Sequence, residues 1–202
     1  MVLSFSAVSL ALVEILAAAL VLPHSFSMMA CSGGEAQSVT APGLASKDAI
    51  WVTISESQVS APTRRTNIVG QYAILRLNKP ALDKLLAAAP LENTPAAAAG
   101  SSVVISLPLP DGRFSRFRVE ESPILAPDLA AAFPDFKSYR GTGLDDPTAS
   151  TRFGWTDIGF HAAILAAGGS VYIDPYFQGD VTTYVSYRES DLRNDRNDPG
   201  PR

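Results

Sequence analysis

The chain has 202 residues, of which 16 are basic and 20 acidic, so its formal net charge is −4 and its pI is near 5.1. This length suits one or two small domains, and the acidic balance argues against the basic face that nucleic-acid binding requires. The single cysteine, Cys31, excludes an intramolecular disulfide, and two distant histidines, His24 and His161, argue against a histidine-based zinc site.

The N-terminus resembles an export signal. Residues 2–22 are almost wholly apolar, with Glu14 as the only charge, and Pro23 ends the run. This pattern is typical of the apolar region of a secretory signal peptide. A run of roughly 20 apolar residues also suffices to span a bilayer, so a retained membrane anchor is the alternative. We predict that residues 1–31 are an export leader, which places the remainder in a secreted, periplasmic or surface-anchored location.

A lone cysteine follows the apolar run. Ala30-Cys31-Ser32-Gly33 resembles a bacterial lipoprotein cleavage box, in which Cys31 becomes the lipidated first residue of the mature chain. Cleavage nearby by the general signal peptidase is the alternative. Contact with a membrane is expected only through the leader or this lipid anchor. Residues 32–48 are small and polar, and they predict a disordered tether.

The folded part is predicted to begin at residue 49. Residues 50–54 and 67–77 have strand character, and the second stretch alternates between two faces. Tyr72, Ile74 and Arg76 share one of these faces, whereas Ala73, Leu75 and Leu77 share the other. Residues 78–87 change to helical period, with Asn78 as the N-cap.

Short strands and tight turns dominate the remainder. Residues 103–107 and 113–119 flank Asp111-Gly112, which is a strong hairpin signal. A brief helix is predicted at 126–133. Further strands are predicted at 136–140, 150–155, 159–165, 171–173 and 182–187, with turns at 141–143 and 167–170 among those between them. The predicted fold class is α+β: an antiparallel β-sheet meander over 49–192 with one or two short covering helices, followed by a tail or linker at 193–202.

Few residues could carry chemistry. Asp145 and Asp146 are adjacent carboxylates that could bind a divalent cation, although acids before a proline more often form turns, and Asp180 is interpreted in the same way. Arg116 and Arg118 alternate with phenylalanines on one strand. They are interpreted either as a solvated strand face or as a docking surface for an acidic partner. His161 is interpreted as a packed or surface strand residue, and no G-x-S-x-G elbow is present.

The ordered motifs L-P-L-P-D-G, F-x-R-F, E-S-P-I, A-x-F-P, Y-x-G-x-G-x-D-D-P-T-A and Y-I-D-P-Y within residues 107–192 resemble the N-terminal prodomain of bacterial secreted reprolysin-like zinc metalloproteases. The resemblance covers about 70–192. It implies a folding helper and inhibitor whose partner is a reprolysin-type zinc metalloprotease catalytic domain, in cis or in trans. The catalytic motif H-E-x-x-H-x-x-G-x-x-H is missing from this sequence, so the resemblance implies a chain that is not an enzyme and needs no cofactor.

The resemblance leaves the mode of latency open. A carboxylate of Asp145, Asp146 or Asp180 could occupy the protease zinc, or the edge of a strand could cover the substrate cleft. The second functional hypothesis is a surface-tethered β-rich extracellular binding module for protein or carbohydrate. In that case exposed aromatic residues could form a sugar platform; the candidates are Trp51, Trp155, Tyr176 and Phe177.

Overall fold

A computed structural model describes residues 43–59, 68–177 and 179–192, so the predicted leader with Cys31, most of the predicted tether and the predicted tail lie outside the described residues. The strands are β1 Trp51–Ile54, β2 Tyr72–Leu77, β3 Val104–Pro108, β4 Phe114–Glu121, β5 Ser138–Gly143, β6 Ser150–Thr156, β7 Gly159–Ala166, β8 Gly169–Pro175 and β9 Thr183–Arg188. The helices in these ranges are α1 Lys79–Leu86, α2 Pro95–Ala98 and α3 Pro127–Ala132, with 3-10 turns at Glu56–Gln58 and Glu189–Asp191.

The strands form one antiparallel sheet in the order β1-β2-β9-β8-β7-β6-β5-β4-β3. From β3 to β9 each strand pairs with the next in the chain, which is the predicted meander. The first hairpin, β1–β2, joins this meander through β9, so the segment between β2 and β3 crosses from one side of the sheet to the other and carries α1 on the way. The predicted α+β class is confirmed.

The inner face of the sheet holds the main core. Alternation along β4 buries Phe117 and Val119 while Arg116 and Arg118 stay exposed, because successive side chains of a strand point to opposite faces. Fully burying one such apolar side chain contributes about 1.5–3 kcal/mol. Helix α1 adds its buried leucines to the same cluster, whereas α3 buries no residue. Of the two predicted covering helices, α1 therefore fills that role.

A second apolar cluster lies on the outer face, where β2, β8 and β9 meet. Tyr72 and Ile74 belong to it, whereas Ala73 and Leu75 belong to the inner core. The two-faced pattern predicted for β2 is therefore correct, and both faces are buried. The small outer cluster consists of Ile54, Ile68, Tyr72, Ile74, Tyr176, Val185 and Tyr187.

Both edges of the sheet are covered in the described chain. Residues 43–46 pair with β1, so these last residues of the predicted tether are hydrogen-bonded to the domain. At the other edge, Asp48 accepts a 2.7 Å hydrogen bond from the amide of Ser106 in β3. Ser186 of β9 donates to the carbonyl of Pro108 at 2.9 Å. These contacts show that the sheet curls until its two sides meet.

The predicted turn at 141–143 is part of a strand, and the predicted turn at 167–170 is confined to residues 167 and 168. The predicted strand 136–140 runs instead from 138 to 143, and β8 begins at Gly169 rather than at 171. In β5 the glycines allow close approach of backbone: a Cβ on Gly143 would lie 2.1 Å from the carbonyl oxygen of Asp146. Glycine here marks close packing inside a strand rather than a reversal of the chain.

Candidate functional site

The outer faces of β4 to β8 form a continuous depression, which we call the outer groove. Its cationic part has a volume of about 720 Å³ and is lined by Arg118, Arg140 and Arg152. Its apolar part has a volume of about 390 Å³. Arg152 and Ala163 line both parts, so the two join at β6 and β7.

The sheet register fixes the position of the three arginines. Arg140 of β5 lies directly opposite Arg152 of β6, and it is hydrogen-bonded to Glu120 at 2.7 Å and paired with Glu92 at 3.2 Å. The hydrogen bond to Glu120 raises the pKa of Arg140. Within the described ranges neither Arg118 nor Arg152 forms an ion pair. The cationic part therefore presents two uncompensated positive charges.

The apolar part lies between the sheet and the loop that joins β4 to β5. Ile124, Leu125 and Phe136 of this loop line the cavity together with Tyr172 of β8. The loop also displays apolar side chains to solvent, since Ile124 is 73% exposed. Leu129 and Phe133 are also about half exposed. Apolar surface of this kind beside a cavity is typical of a binding site.

His161 lies on the wall of the apolar part and is held by a hydrogen-bonded chain. Its Nδ1 is 2.7 Å from Oδ1 of Asp174, and the hydroxyl of Tyr187 donates to Oδ2 of Asp174 at 2.5 Å. Burial, followed by the contacts with Asp174, raises the pKa of Tyr187. Because the carboxylate is an acceptor, Nδ1 of His161 carries the proton, and Nε2 of the neutral ring is an acceptor.

The Nε2 atom of His161 is buried and has no hydrogen-bond partner. A buried polar atom without a partner costs free energy, so a donor that reaches Nε2 would gain a hydrogen bond. Neighbouring side chains must move to admit such a donor, because Nε2 is closed to solvent. No serine, threonine or cysteine in the described chain bonds to His161.

The predicted site residues on the β5–β6 turn are engaged locally. Asp145 accepts three hydrogen bonds from the side chain of Arg116, the shortest at 2.6 Å, and another from its backbone amide at 2.8 Å. These bonds hold the pKa of Asp145 below its ordinary value. Asp146 accepts from the amide and hydroxyl of Thr148, which lowers its pKa as well. Both acids stabilise a turn, which was the alternative to cation binding in the sequence analysis.

Asp180 is likewise a turn residue. It is 7% exposed and accepts hydrogen bonds from the amide and hydroxyl of Thr182 and from the amide of Thr183. In the part of the chain that the structure describes, no group of three His, Cys, Asp or Glu residues could hold a metal ion. Of the five predicted contact residues that are described, only Arg118 lines the outer groove.

The predicted sugar platform is wrong. Trp51 is 0% exposed and Tyr176 is 3% exposed, and the two lie in different apolar clusters. Trp155 packs against the inner core, with Nζ of Lys79 4.7 Å from its ring centroid, and Phe177 packs against the outer cluster. Core packing, the other interpretation of these residues, accounts for all four.

Sequence reasoning missed the pair of His161 and Asp174, which lie on neighbouring strands 13 positions apart. The two-residue turn between β7 and β8 contained the signal for this pair. It places Ala166 opposite Gly169, and the same register five residues further from the turn places His161 opposite Asp174.

Comparison with known family models, with curated proteins and with solved structures found no match. None of the described helices is long and apolar enough to cross a membrane.

Proposed function

We propose that the chain is a non-catalytic, prodomain-like module of an exported reprolysin-type zinc metalloprotease precursor, which assists the folding of the protease and keeps it latent. The observation that carries the proposal is the position of the shared motifs. L-P-L-P-D-G forms the β3–β4 hairpin, Y-x-G-x-G-x-D-D-P-T-A forms β5 and the turn after it, and Y-I-D-P-Y lies at the end of β8. Three of the six motifs that carry the resemblance thus lie at turns and strand ends of the sheet.

The site geometry supports a binding role through the outer groove. The three candidate carboxylates are occupied by internal hydrogen bonds, so using one to occupy a partner's zinc would break a turn. Strand addition at the edges is hindered, because residues 43–46 pair with β1 and Asp48 caps an amide of β3. The groove, by contrast, offers two unpaired arginines and an exposed apolar loop.

The proposal is tested with a catalytic domain that carries the H-E-x-x-H-x-x-G-x-x-H motif and is encoded nearest to this gene. The purified chain should inhibit cleavage of a fluorogenic peptide by this domain at near-equimolar concentration. It should also raise the yield of active protease on refolding from urea. Zinc-dependent proteolysis by the chain alone, or an absence of both effects, would refute the proposal.

The apolar part of the groove favours a second function, that of a surface-tethered extracellular module for protein partners. The buried acceptor on His161 and the exposed side chain of Ile124 form a binding feature that requires no protease. This function predicts that the chain captures an extracellular protein and leaves the protease assay unchanged. Pull-down of secreted proteins with the wild-type chain and with Ile124→Ser distinguishes the two functions, because only the second predicts a partner that lacks a metalloprotease domain.

A further inference from the structure

We propose that the outer groove binds an extended peptide segment of its protein partner, with a tryptophan or tyrosine side chain in the apolar part and acidic side chains over the cationic part. This inference rests on the proposed function in one respect, namely that the occupant belongs to a protein. It does not depend on whether that protein is a protease. Three features of the groove define the occupant.

The first feature is the apolar part itself. Its volume of about 390 Å³ accommodates one large aromatic side chain, and its lining includes the aromatic residues Phe136 and Tyr172. Aromatic side chains supply much of the binding energy at protein interfaces because they bury a large apolar area at low entropic cost. The exposed residues Ile124 and Phe133 on the neighbouring loop extend the apolar surface around the opening.

The second feature is the orphaned acceptor, Nε2 of His161. Asp174 fixes the orientation of the ring through Nδ1, so the acceptor position is set before binding. A purely apolar side chain would leave Nε2 without a partner, whereas the indole N–H of tryptophan or the hydroxyl of tyrosine can donate to it. This selects an aromatic residue with a donor over phenylalanine.

The third feature is the charge of the adjoining part. Arg152 on β6 and Arg118 on β4 form no ion pair among the described residues, and both line the groove. Arg140 between them is already neutralised by Glu120 and Glu92. Two free guanidinium groups beside an apolar cavity complement a segment with two carboxylates.

The spacing follows from the sheet. β7, β6, β5 and β4 are consecutive neighbours, and neighbouring strands lie about 4.8 Å apart, so His161 and Arg118 are separated by about 14 Å across the strands. The register places Arg118 level with Leu165, four residues along β7 from His161, which adds about 13 Å along the strands. The two residues are therefore about 20 Å apart, which corresponds to about six residues of an extended peptide. Arg152 lies opposite Ala163, about 8 Å from His161. The occupant therefore has the aromatic residue at one end and acidic residues about two and six positions away.

The test uses the blocked peptide acetyl-Trp-Gly-Glu-Gly-Gly-Gly-Glu-amide and its reversed sequence, because the groove does not fix the direction of the segment. Binding to the full chain is measured by calorimetry and by amide shifts of the isotope-labelled protein. At least one of the two peptides should bind with a dissociation constant below about 1 mM. Replacing both glutamates by glutamine should weaken that binding about tenfold, and replacing tryptophan by alanine should abolish it.

Variants assign the effect to the groove. The double variant Arg118→Gln/Arg152→Gln should weaken binding of the acidic peptide about tenfold and leave the glutamine peptide unchanged. Arg113→Gln is the matched control, because Arg113 is exposed, lies beside the same hairpin and is paired with Asp111. His161→Phe should remove the preference for tryptophan over naphthylalanine, which has no N–H, while thermal unfolding shows that each variant is folded.

Three outcomes would overturn the inference: no binding of either peptide, equal binding of the acidic and glutamine peptides, or equal loss in the Arg113→Gln control. The protease assay separates this inference from the proposed function. If neither peptide binds and the chain still inhibits the protease, the groove inference fails and the proposed function stands. If the peptides bind as expected and the chain has no effect on the protease, the proposed function fails and the groove inference stands.

Discussion

Substituting Gly143 by alanine tests the close packing at the end of β5. The added Cβ would lie 2.1 Å from the carbonyl oxygen of Asp146, 3.1 Å from its carbonyl carbon and 3.2 Å from the carbonyl oxygen of Ala149. All three atoms belong to the backbone, so no side chain can rotate away. Real Cβ atoms essentially never approach another heavy atom closer than 3.0 Å, and the turn that holds Asp146 must therefore move.

The expected loss of stability follows from two opposing effects. Replacing glycine by alanine restricts the unfolded chain, which stabilises the fold by about 0.4–1 kcal/mol. Overpacking costs about 1–3 kcal/mol, and the displaced turn also strains the 2.9 Å hydrogen bond from the amide of Gly143 to Ala149, which contributes about 1 kcal/mol. We therefore expect Gly143→Ala to lower the free energy of unfolding by about 1–3 kcal/mol.

The measurement is urea unfolding of the purified chain, followed by the fluorescence of its two tryptophans, Trp51 and Trp155. Gly168→Ala is the matched control, because an added Cβ there meets nothing within 4 Å and Gly168 has no positive φ. The control should be neutral or slightly stabilising. Equal unfolding midpoints for the two variants would show that β5 does not approach the turn at Asp146 as described.

Three further predictions concern hydrogen bonds and ionisation. Asp48→Ala should lower the free energy of unfolding by about 1–3 kcal/mol, because an amide of β3 loses its acceptor, and an unchanged urea midpoint would contradict this. Burial raises the pKa of both Tyr139 and Tyr184 to about 12, so their contribution to stability is complete below pH 10.0 and is lost as the pH rises through about 12. Absorbance at alkaline pH should show these groups ionising together with unfolding; ionisation of every tyrosine near pH 10 in the folded chain would refute this. The hydrogen bond from Arg116 lowers the pKa of Asp145, so its stabilising contribution is present above about pH 4 and disappears as the pH falls below that value; Asp145→Asn should remove this acid dependence.

The sequence predicted those parts of the fold that depend on local periodicity. In β4 the alternation of Phe117 and Arg118 required only the period of two residues. Helix α1 was predicted from its cap, and Asn78 indeed accepts a hydrogen bond from the amide of Ala81. These features depend on neighbours within a few residues, so one sequence suffices to find them.

Features that depend on distant strands were harder to predict. The glycines of β5 looked like a turn because glycine permits both chain reversal and close backbone approach, and only the position of the next strand decides between them. Recognising the site also required the positions of neighbouring strands and loops. His161 is an ordinary strand residue until β8 places Asp174 beside it and the β4–β5 loop places Ile124 across the cavity.

The position of β9 has a consequence for the order in which the chain can fold. β9 is the last strand along the described chain, and it is the neighbour that joins the β1–β2 hairpin to the meander. Ribosomal synthesis delivers β9 after all the others, so the first hairpin has no partner in the sheet until synthesis is nearly complete. Glu56 and Tyr176, which are 120 residues apart and 2.9 Å from each other in the finished fold, can meet only then. Local hairpins such as β6–β7 can form earlier, whereas closure of the domain waits for its C-terminal strand.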